Sequence, residues 1–559
     1  VIDGVEVDDD GVVVDEPGQL GARPAEQQVG LVRADADVGA AEVADPRIEG
    51  LERALVAGDV VLDLARLGHA AELGRRLVLR GGLPGLGLLW IGCAPAPTVE
   101  PPAPAPAAPA HAASEPAPAP AVAITPATPG PRPITTPEIS EARQHAQRRM
   151  LGRQASEPTK PEERPPPAPG QPAPVPADSL GRFLLIEDPA PDRPALARFH
   201  AALRGLAAGR DADGKVRVAM YGASGTAADI FTGYVRAYLQ RRFGEAGPGF
   251  VPMVRMNAWY RHSEVAVESS KQWTKQHAVR KTRPPEDPRL GLMGVSFTTS
   301  SKRAYARVIP GPGLRAATLT GELMYWQGPG GGKFKVRRGD KTVSEGSSRA
   351  GAPGAGYLPL PPVPGDAAIE LTPRGDGAVR LFGVALETAA PGVVVDTLGL
   401  EGARAANQLV WDEEVWADNL RRRAPDLVVL SYGTNESTDA DVPLAVYREE
   451  LTQVLARHRR AVPEASCVLL GPSDYPAGEP RLAAIVAIQR ELASASGCGF
   501  WDAQAFMGGP GSMATWVTSD PPLAQADGLH TTRRGAVHKG VAFADALMFA
   551  YDAAATPAP

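Results

Sequence analysis

Three cysteines in 559 residues, Cys93, Cys467 and Cys498, are too few for a disulfide scaffold, and none has the C-x-x-C or Cys/His spacing that binds zinc. The sequence therefore offers no structural metal site. Positive charge is not in excess either: 58 Lys and Arg against 64 Asp and Glu leave a net charge of −6 and a pI near 6.0. That balance argues against nucleic acid as a partner, because phosphate neutralisation needs a basic field. The apolar run at 81–91 falls well short of the roughly 20 residues that a membrane-spanning helix requires. What is abundant is proline and glycine, 57 and 60 residues, so much of the chain cannot be packed core.

The chain divides by composition. Residues 1–74 mix acidic runs with scattered Gly and Val, and read as a disordered leader or as an over-extended reading frame with the true start near Arg75 to Arg80. Residues 75–93 follow the plan of a signal peptide: Arg75 and Arg76, an apolar stretch, then Ile91-Gly92-Cys93. Cys93 resembles the lipidated cysteine of a bacterial lipobox, with Trp90 standing where that motif has an aliphatic residue. Residues 94–179 are dominated by Pro and Ala, which favours extended polyproline II and a semi-rigid linker. The whole reads as an exported, lipid-anchored protein of the cell envelope.

From about Leu180 the pattern becomes alternating apolar strands and amphipathic helices, the mark of an α/β domain with a parallel sheet. Strands are expected at 216–221, 393–398, 427–431, 466–470 and 499–502. Helices are expected at 227–243, 404–420, 443–459, 481–496 and 532–551. The domain thus spans 180–248 and 389–555. Between its halves, 249–388 breaks into short β-rich runs separated by Gly/Pro turns, which predicts an inserted β-sandwich. The pairs Trp259-Tyr260 and Tyr325-Trp326 lie there; each aromatic is read as core, with a sugar-stacking platform as the alternative. Cys467 and Cys498 fall near the starts of the fourth and fifth strands and are read as buried thiols in preference to a disulfide. Arg421-Arg422-Arg423 is read as a helix C-terminal charge cluster and Tyr260-Arg261-His262 as a loop without an assigned role.

In an open α/β sheet, ligand chemistry gathers beyond the carboxyl ends of the strands. The first strand ends in Tyr221-Gly222-Ala223-Ser224-Gly225-Thr226, placing Ser224 on a tight turn where outward N–H groups suit a developing oxyanion. Asp527-Gly528-Leu529-His530 stands just before the last helix, and a carboxylate three residues from an imidazole can turn back to its Nδ1–H. Asn435, in Tyr432-Gly433-Thr434-Asn435-Glu436, brings an amide to the same sheet edge, and Gly402 offers an unobstructed N–H after the second strand. Each block alone is ordinary. Four in this order are not.

In these blocks the sequence resembles the SGNH, or GDSL-like, hydrolase superfamily over roughly 180–551. The resemblance implies a three-layer α/β/α domain with a five-stranded parallel sheet. It also implies a Ser224–His530–Asp527 triad, an oxyanion hole from Ser224, Gly402 and Asn435, and serine esterase chemistry without metal or organic cofactor. The insertion is similar in plan to the carbohydrate-binding-like sandwich of bacterial peptidoglycan O-acetylesterases, which makes O-acetylated envelope glycan the expected substrate. One departure is Ala223, where the family has Asp in Gly-Asp-Ser; another is Gly225, where these esterases often have His. Two rival readings follow: a non-catalytic glycan-binding lipoprotein on a degenerate SGNH domain, and a lipase or acyltransferase on the same fold.

Overall fold

The computed structural model describes residues 131–152, 174–188, 194–257, 259–279 and 285–555. The leader at 1–74, the signal segment with Cys93, and most of the 94–179 linker lie outside the described residues. The part of that linker which is described is not all extended. Helix α1 (Pro137–Leu151) lies inside it, started by Thr136, whose hydroxyl accepts from Ile139 N–H, with Pro137 in the first turn. Ile139, Ala142, Ala146 and Met150 recur at helical spacing and are buried, and Arg143 pairs at 2.9 Å with Asp545 of the last helix. A proline-rich composition on both sides masks this short amphipathic stretch.

Helix α2 (Ala197–Ala207) leads into strand β1 (Lys215–Gly222), which is followed by the one-turn helix α3 (Ser224–Ala227) and by α4 (Phe231–Phe243). Eleven strands come next: β2 (Gly249–Val251), β3 (Val265–Ser269), β4 (Thr274–His277), β5 (Val295–Thr299), β6 (Ala306–Pro310), β7 (Thr318–Gln327), β8 (Lys333–Arg338), β9 (Lys341–Ser347), β10 (Gly354–Pro364), β11 (Ile369–Pro373) and β12 (Val379–Thr388). The chain then returns with β13 (Gly392–Gly399), α5 (Glu413–Arg423), β14 (Leu427–Ser431), α6 (Leu444–Ala461), β15 (Ser466–Leu470), α7 (Arg481–Ala495) and β16 (Gly499–Trp501). It closes with the short helices α8 (Ala503–Met507) and α9 (Ser512–Thr518) and the long α10 (Arg533–Ala555).

Strands β13-β1-β14-β15-β16 form one five-stranded sheet, every pair parallel. Side chains alternate across it as the pleat requires: Val216, Val218 and Met220 join the core under α1, α2, α4 and α10, whereas Ala219 and Tyr221 face the core with α5, α6 and α7. This is the expected three-layer α/β/α domain. The expected helix at 404–420 is instead a 3-10 turn (Ala405–Val410) and then α5, which Asp412 caps by accepting from Val415 N–H. The one at 227–243 is likewise split, at Asp229, which adopts φ +50°.

Between β1 and β13 the chain builds two antiparallel sheets. One has the order β10-β7-β12-β5-β4, with β2 added on β12; the other is β3-β6-β11-β8-β9. They share a core in which Tyr325 of β7 meets Phe334 of β8 edge to face, centroids 5.3 Å apart. Strand β10 carries Pro359, Pro361, Pro362 and Pro364, which hid it in the sequence; it is tolerated because it lies at a sheet end, and its register slips between Leu360 and Val363.

Buried charges join this insertion to the parallel sheet. Glu387 of β12 takes a two-pronged bond at 2.9 Å from Arg217 of β1 and pairs at 2.8 Å with Arg423 of α5. Arg423 in turn grips Asp396 of β13, whose Oδ1 also accepts from Phe250 N–H of β2 at 2.7 Å. Arg421-Arg422-Arg423 close α5 as the expected helix C-terminal charge cluster, and Arg423 is in addition a buried tie. Cys467 and Cys498 form a disulfide, correcting the free-thiol reading: β15 and β16 pair in register just beyond them, which holds their Cα atoms 4.7 Å apart.

Burial opposes ionisation of Glu387, but the Arg217 bonds and the Arg423 charge outweigh it and hold the carboxyl down at about 2, from an ordinary 4.5. A depressed acid contributes stability that is present above its unfolded value and lost as pH falls toward 2, here about 3 kcal/mol. Glu387→Gln is therefore expected to lower the unfolding free energy at pH 7 by about that amount, with the gap to the parent closing between pH 4.5 and 2; denaturant titrations across that range check it.

Candidate active site

Register decides where the chemistry collects. Gly222, at the end of β1, lies opposite Gly399 of β13 on one side and Ser431 of β14 on the other. Ser224, Gly402 and Asn435 follow these three aligned strand ends within a few residues, so the loops carrying them emerge side by side. Gly222 has no room for a side chain, since a Cβ there would lie 2.1 Å from Thr226 Oγ1 and 2.9 Å from Ser431 O. That close approach sets the sharp turn that presents Ser224 as the first residue of α3.

The loop before α10 brings the remaining groups. Asp527 Oδ1 accepts from the backbone N–H of Leu529 and of His530, both at 3.0 Å, so the carboxylate closes its own loop. Asp527 Oδ2 accepts from His530 Nδ1 at 2.7 Å, and His530 Nε2 lies 3.3 Å from Ser224 Oγ. An ionised Asp527 fixes the proton on Nδ1, which leaves the Nε2 lone pair facing the serine hydroxyl. Partial burial works against that ionisation, but the His530 N–H, the imidazole itself and the Leu529 N–H hold Asp527 below its ordinary value. A Ser–His separation of 3.3 Å is long for a hydrogen bond to a hydroxyl and within the range of resting catalytic pairs.

The oxyanion candidates are wired to each other. Asn435 Nδ2 donates to Ala403 O at 2.9 Å, which uses one amide proton and leaves the other. Gly402 adopts φ +73°, a conformation suited to glycine. Among the described residues, neither the Ser224 N–H nor the Gly402 N–H donates to a protein acceptor. Sequence reasoning missed the two side chains that hold these loops. Arg404 grips Asp439 with two bonds of 2.5 and 2.7 Å, and donates to Gly402 O at 3.0 Å and Asn435 O at 3.3 Å. The buried Glu436 accepts from Ala405 N–H at 2.8 Å and Gly433 N–H at 2.9 Å, while burial pushes its carboxyl up. Both follow a flagged residue within two positions, and each adds to a local bond a partner 31 to 35 residues away, which no local pattern reveals.

A third missed residue bears on Ala223. The buried Asp229, five residues past Ser224, accepts from Thr232, Arg236, Thr397 and both the N–H and hydroxyl of Ser263, at 2.7 to 3.0 Å. Despite burial, the Arg236 charge beside it holds this carboxyl well below the usual range. The chain just past α3 is thus tied by a buried carboxylate to α4, β13 and Ser263, while the Asp229 N–H donates to Thr226 O at 3.0 Å. Of the four flagged aromatics, Tyr260 and Tyr325 are buried as expected, and Trp326 is half-buried. Trp259 departs from the core reading: it is 39 % exposed and stacks on His530, centroids 5.0 Å apart and planes at 27°. Among the described residues, no group of three His, Cys, Asp or Glu side chains is arranged to hold a metal ion.

Residues 365–537 match the GDSL-like Lipase/Acylhydrolase family. The chain carries a GDSL-like acylhydrolase domain. The match takes in Gly402, Asn435, Asp527 and His530, while Ser224 lies ahead of it, across the insertion. A solved peptidoglycan O-acetylesterase, captured in action at 5 min, shares the fold with a TM-score of 0.56 at 22% identity, over 66% of this chain and 100% of that one. An acetylxylan esterase from Geobacillus stearothermophilus aligns at 18% identity over 29% of this chain and 75% of its own, TM-score 0.24. A family two carbohydrate esterase from Cellvibrio japonicus aligns at 13% over 52% and 98%, TM-score 0.22. Among curated proteins none matches significantly. The parallel sheet and its flanking helices share the α/β/α fold of the solved peptidoglycan O-acetylesterase, and the matched residues are those of a GDSL-like acylhydrolase.

Because Arg404 holds two donor loops without touching the Ser–His–Asp line, its loss should displace the donors and spare the triad. Arg404→Gln is expected to lower kcat on an acetyl ester by about 10- to 100-fold with a smaller change in KM, and Arg404→Lys not to restore it, since an ammonium cannot span the Asp439 fork. Steady-state kinetics on the three proteins check this.

Proposed function

We propose that the protein is an O-acetylesterase of cell-envelope polysaccharide, acting on peptidoglycan, with Ser224 as nucleophile and His530 and Asp527 as its partners. The observation that carries the reading is the unbroken line from Asp527 Oδ2 through His530 to Ser224 Oγ, at 2.7 and 3.3 Å. His530 Nε2 takes the hydroxyl proton as Ser224 Oγ bonds to the acetyl carbon. The carbonyl oxygen becomes an oxyanion that the N–H groups of Ser224 and Gly402 and the free amide proton of Asn435 receive. Collapse breaks the ester bond, His530 returns the proton to the sugar oxygen, and water then releases acetate by the reverse path.

The substrate class rests on two supports. One is the fold shared with a peptidoglycan O-acetylesterase along that chain's full length. The other is the envelope address in the sequence, export by 75–93 and a lipid anchor on Cys93, residues that lie outside the described ones. Among the described residues no helix is long and apolar enough to cross a membrane.

Acetate release from a small acetyl ester and from O-acetylated peptidoglycan is the test. Ser224→Ala is expected to abolish both, and Asn435→Ala to lower turnover by about 100- to 1,000-fold. Folded parent protein that releases no acetate from either would instead be a glycan-binding member of the fold.

A further inference from the structure

The insertion approaches His530 through the short segment that carries Trp259, and three ties pin that segment to the acylhydrolase domain. Asn257 Oδ1 accepts from the N–H of Trp259 and of Tyr260, both at 3.0 Å, forming a tight local turn. Asn257 Nδ2 donates at 2.8 Å to Glu401, the neighbour of Gly402. Arg261 N–H donates at 3.0 Å to Ala227 O at the end of the nucleophile helix, and Ser263 bonds to Asp229. Between these ties Tyr260 is buried as an anchor and Trp259 is held out over His530.

Trp259 is the one aromatic among the exposed large apolar side chains of the described residues. Exposing an indole costs favourable burial. A fold that fixes it rigidly at 5.0 Å from the imidazole that faces Ser224 has instead prepared an apolar platform at the point where an ester must dock. A second insertion residue lies beside the oxyanion loop: Val279, just after β4, stands 3.4 Å from where a Cβ on Gly402 would lie. Insertion side chains therefore stand next to both the histidine and the oxyanion loop.

We propose that Trp259 is a specificity-determining residue, the platform on which the sugar ring carrying the scissile acetyl group lays its apolar face while the ester carbonyl meets Ser224. This rests on the esterase reading above and adds to it that the enzyme recognises the ring as well as the acetyl group. The two bonds that Asn257 accepts from Trp259 and Tyr260, with Tyr260 buried, lower the ordering cost of that contact. An alkyl acetate, which has no ring, gains little from the platform.

The full chain is compared with Trp259→Ala and Trp259→Phe on O-acetylated peptidoglycan fragments and on an alkyl acetate. The expected result is that Trp259→Ala lowers the ratio of glycan to alkyl-acetate kcat/KM by about tenfold, mainly through KM for the glycan, and that Phe restores most of it. Equal losses on both substrates would overturn the proposal, because Trp259 would then act only through His530; an unchanged ratio would overturn it equally. Serine-dependent hydrolysis of the alkyl acetate alone by the parent chain would overturn both the platform and the glycan reading, while leaving the esterase intact. Binding of the fragments to Ser224→Ala, with and without Trp259→Ala, gives the same comparison without turnover, with a tenfold weaker Kd expected for the double variant.

Discussion

The parallel register that sets Gly222 between Gly399 and Ser431 is the constraint on which the rest of the site depends. Three strands that end level present three loops at one edge, so a serine, a glycine N–H and an amide converge although they come from distant parts of the chain. The Thr226 and Ser431 atoms that crowd Gly222 keep the turn tight. Each later feature refines that placement: Arg404 and Glu436 hold two of the loops together, Asp229 ties the chain just past α3 to α4, β13 and Ser263, and the 527–530 loop lays the imidazole against the hydroxyl.

The insertion is continuous with the domain it interrupts. Glu387 and Phe250 belong to its sheets, yet their partners Arg217, Arg423 and Asp396 lie on β1, α5 and β13. Removing one partner from such a buried cluster leaves a desolvated charge, which is costly, so the junction resists loosening. The aromatic platform beside His530 depends on that rigidity, since Trp259 is carried by chain that begins at β2 and ends at β3.

The parallel sheet was legible because its strands are short apolar runs followed by amphipathic helices, and the observed strands agree with the expected ones to within about one residue. Ser224, Gly402 and Asn435 were legible for the same reason, since strand ends can be located from periodicity and chemistry concentrates there, whereas Asp527 and His530 were legible from their three-residue spacing ahead of the last helix. What escaped was set by distant partners. Strand β10 reads as proline-rich loop and becomes a strand through its pairing with β7 at the sheet's end. The pattern of β9, Lys341 to Ser347, is polar, and its pairing with β8 supplies the order. The Pro and Ala around α1 hid a helix whose cap and buried face were nonetheless present in the letters. Arg404 and Asp229 carry no motif, and Glu436, although inside the 432–436 block, is assigned no role by it; their importance lies in partners on other loops.

The separation of 306 positions between Ser224 and His530 has a consequence for how the chain becomes active. Strand β1, at the interior of the parallel sheet, is made early, yet both its neighbours, β13 and β14, follow the whole insertion. Pairings this non-local require long loops to close before any contact rewards them, which slows folding and leaves apolar strand surface open meanwhile. The inserted sheets are made of antiparallel pairs largely within themselves and can gain order while β1 waits. His530 arrives only with the last loop before the final helix. The 2.7 and 3.3 Å line from Asp527 to Ser224 is therefore completed at the end of folding.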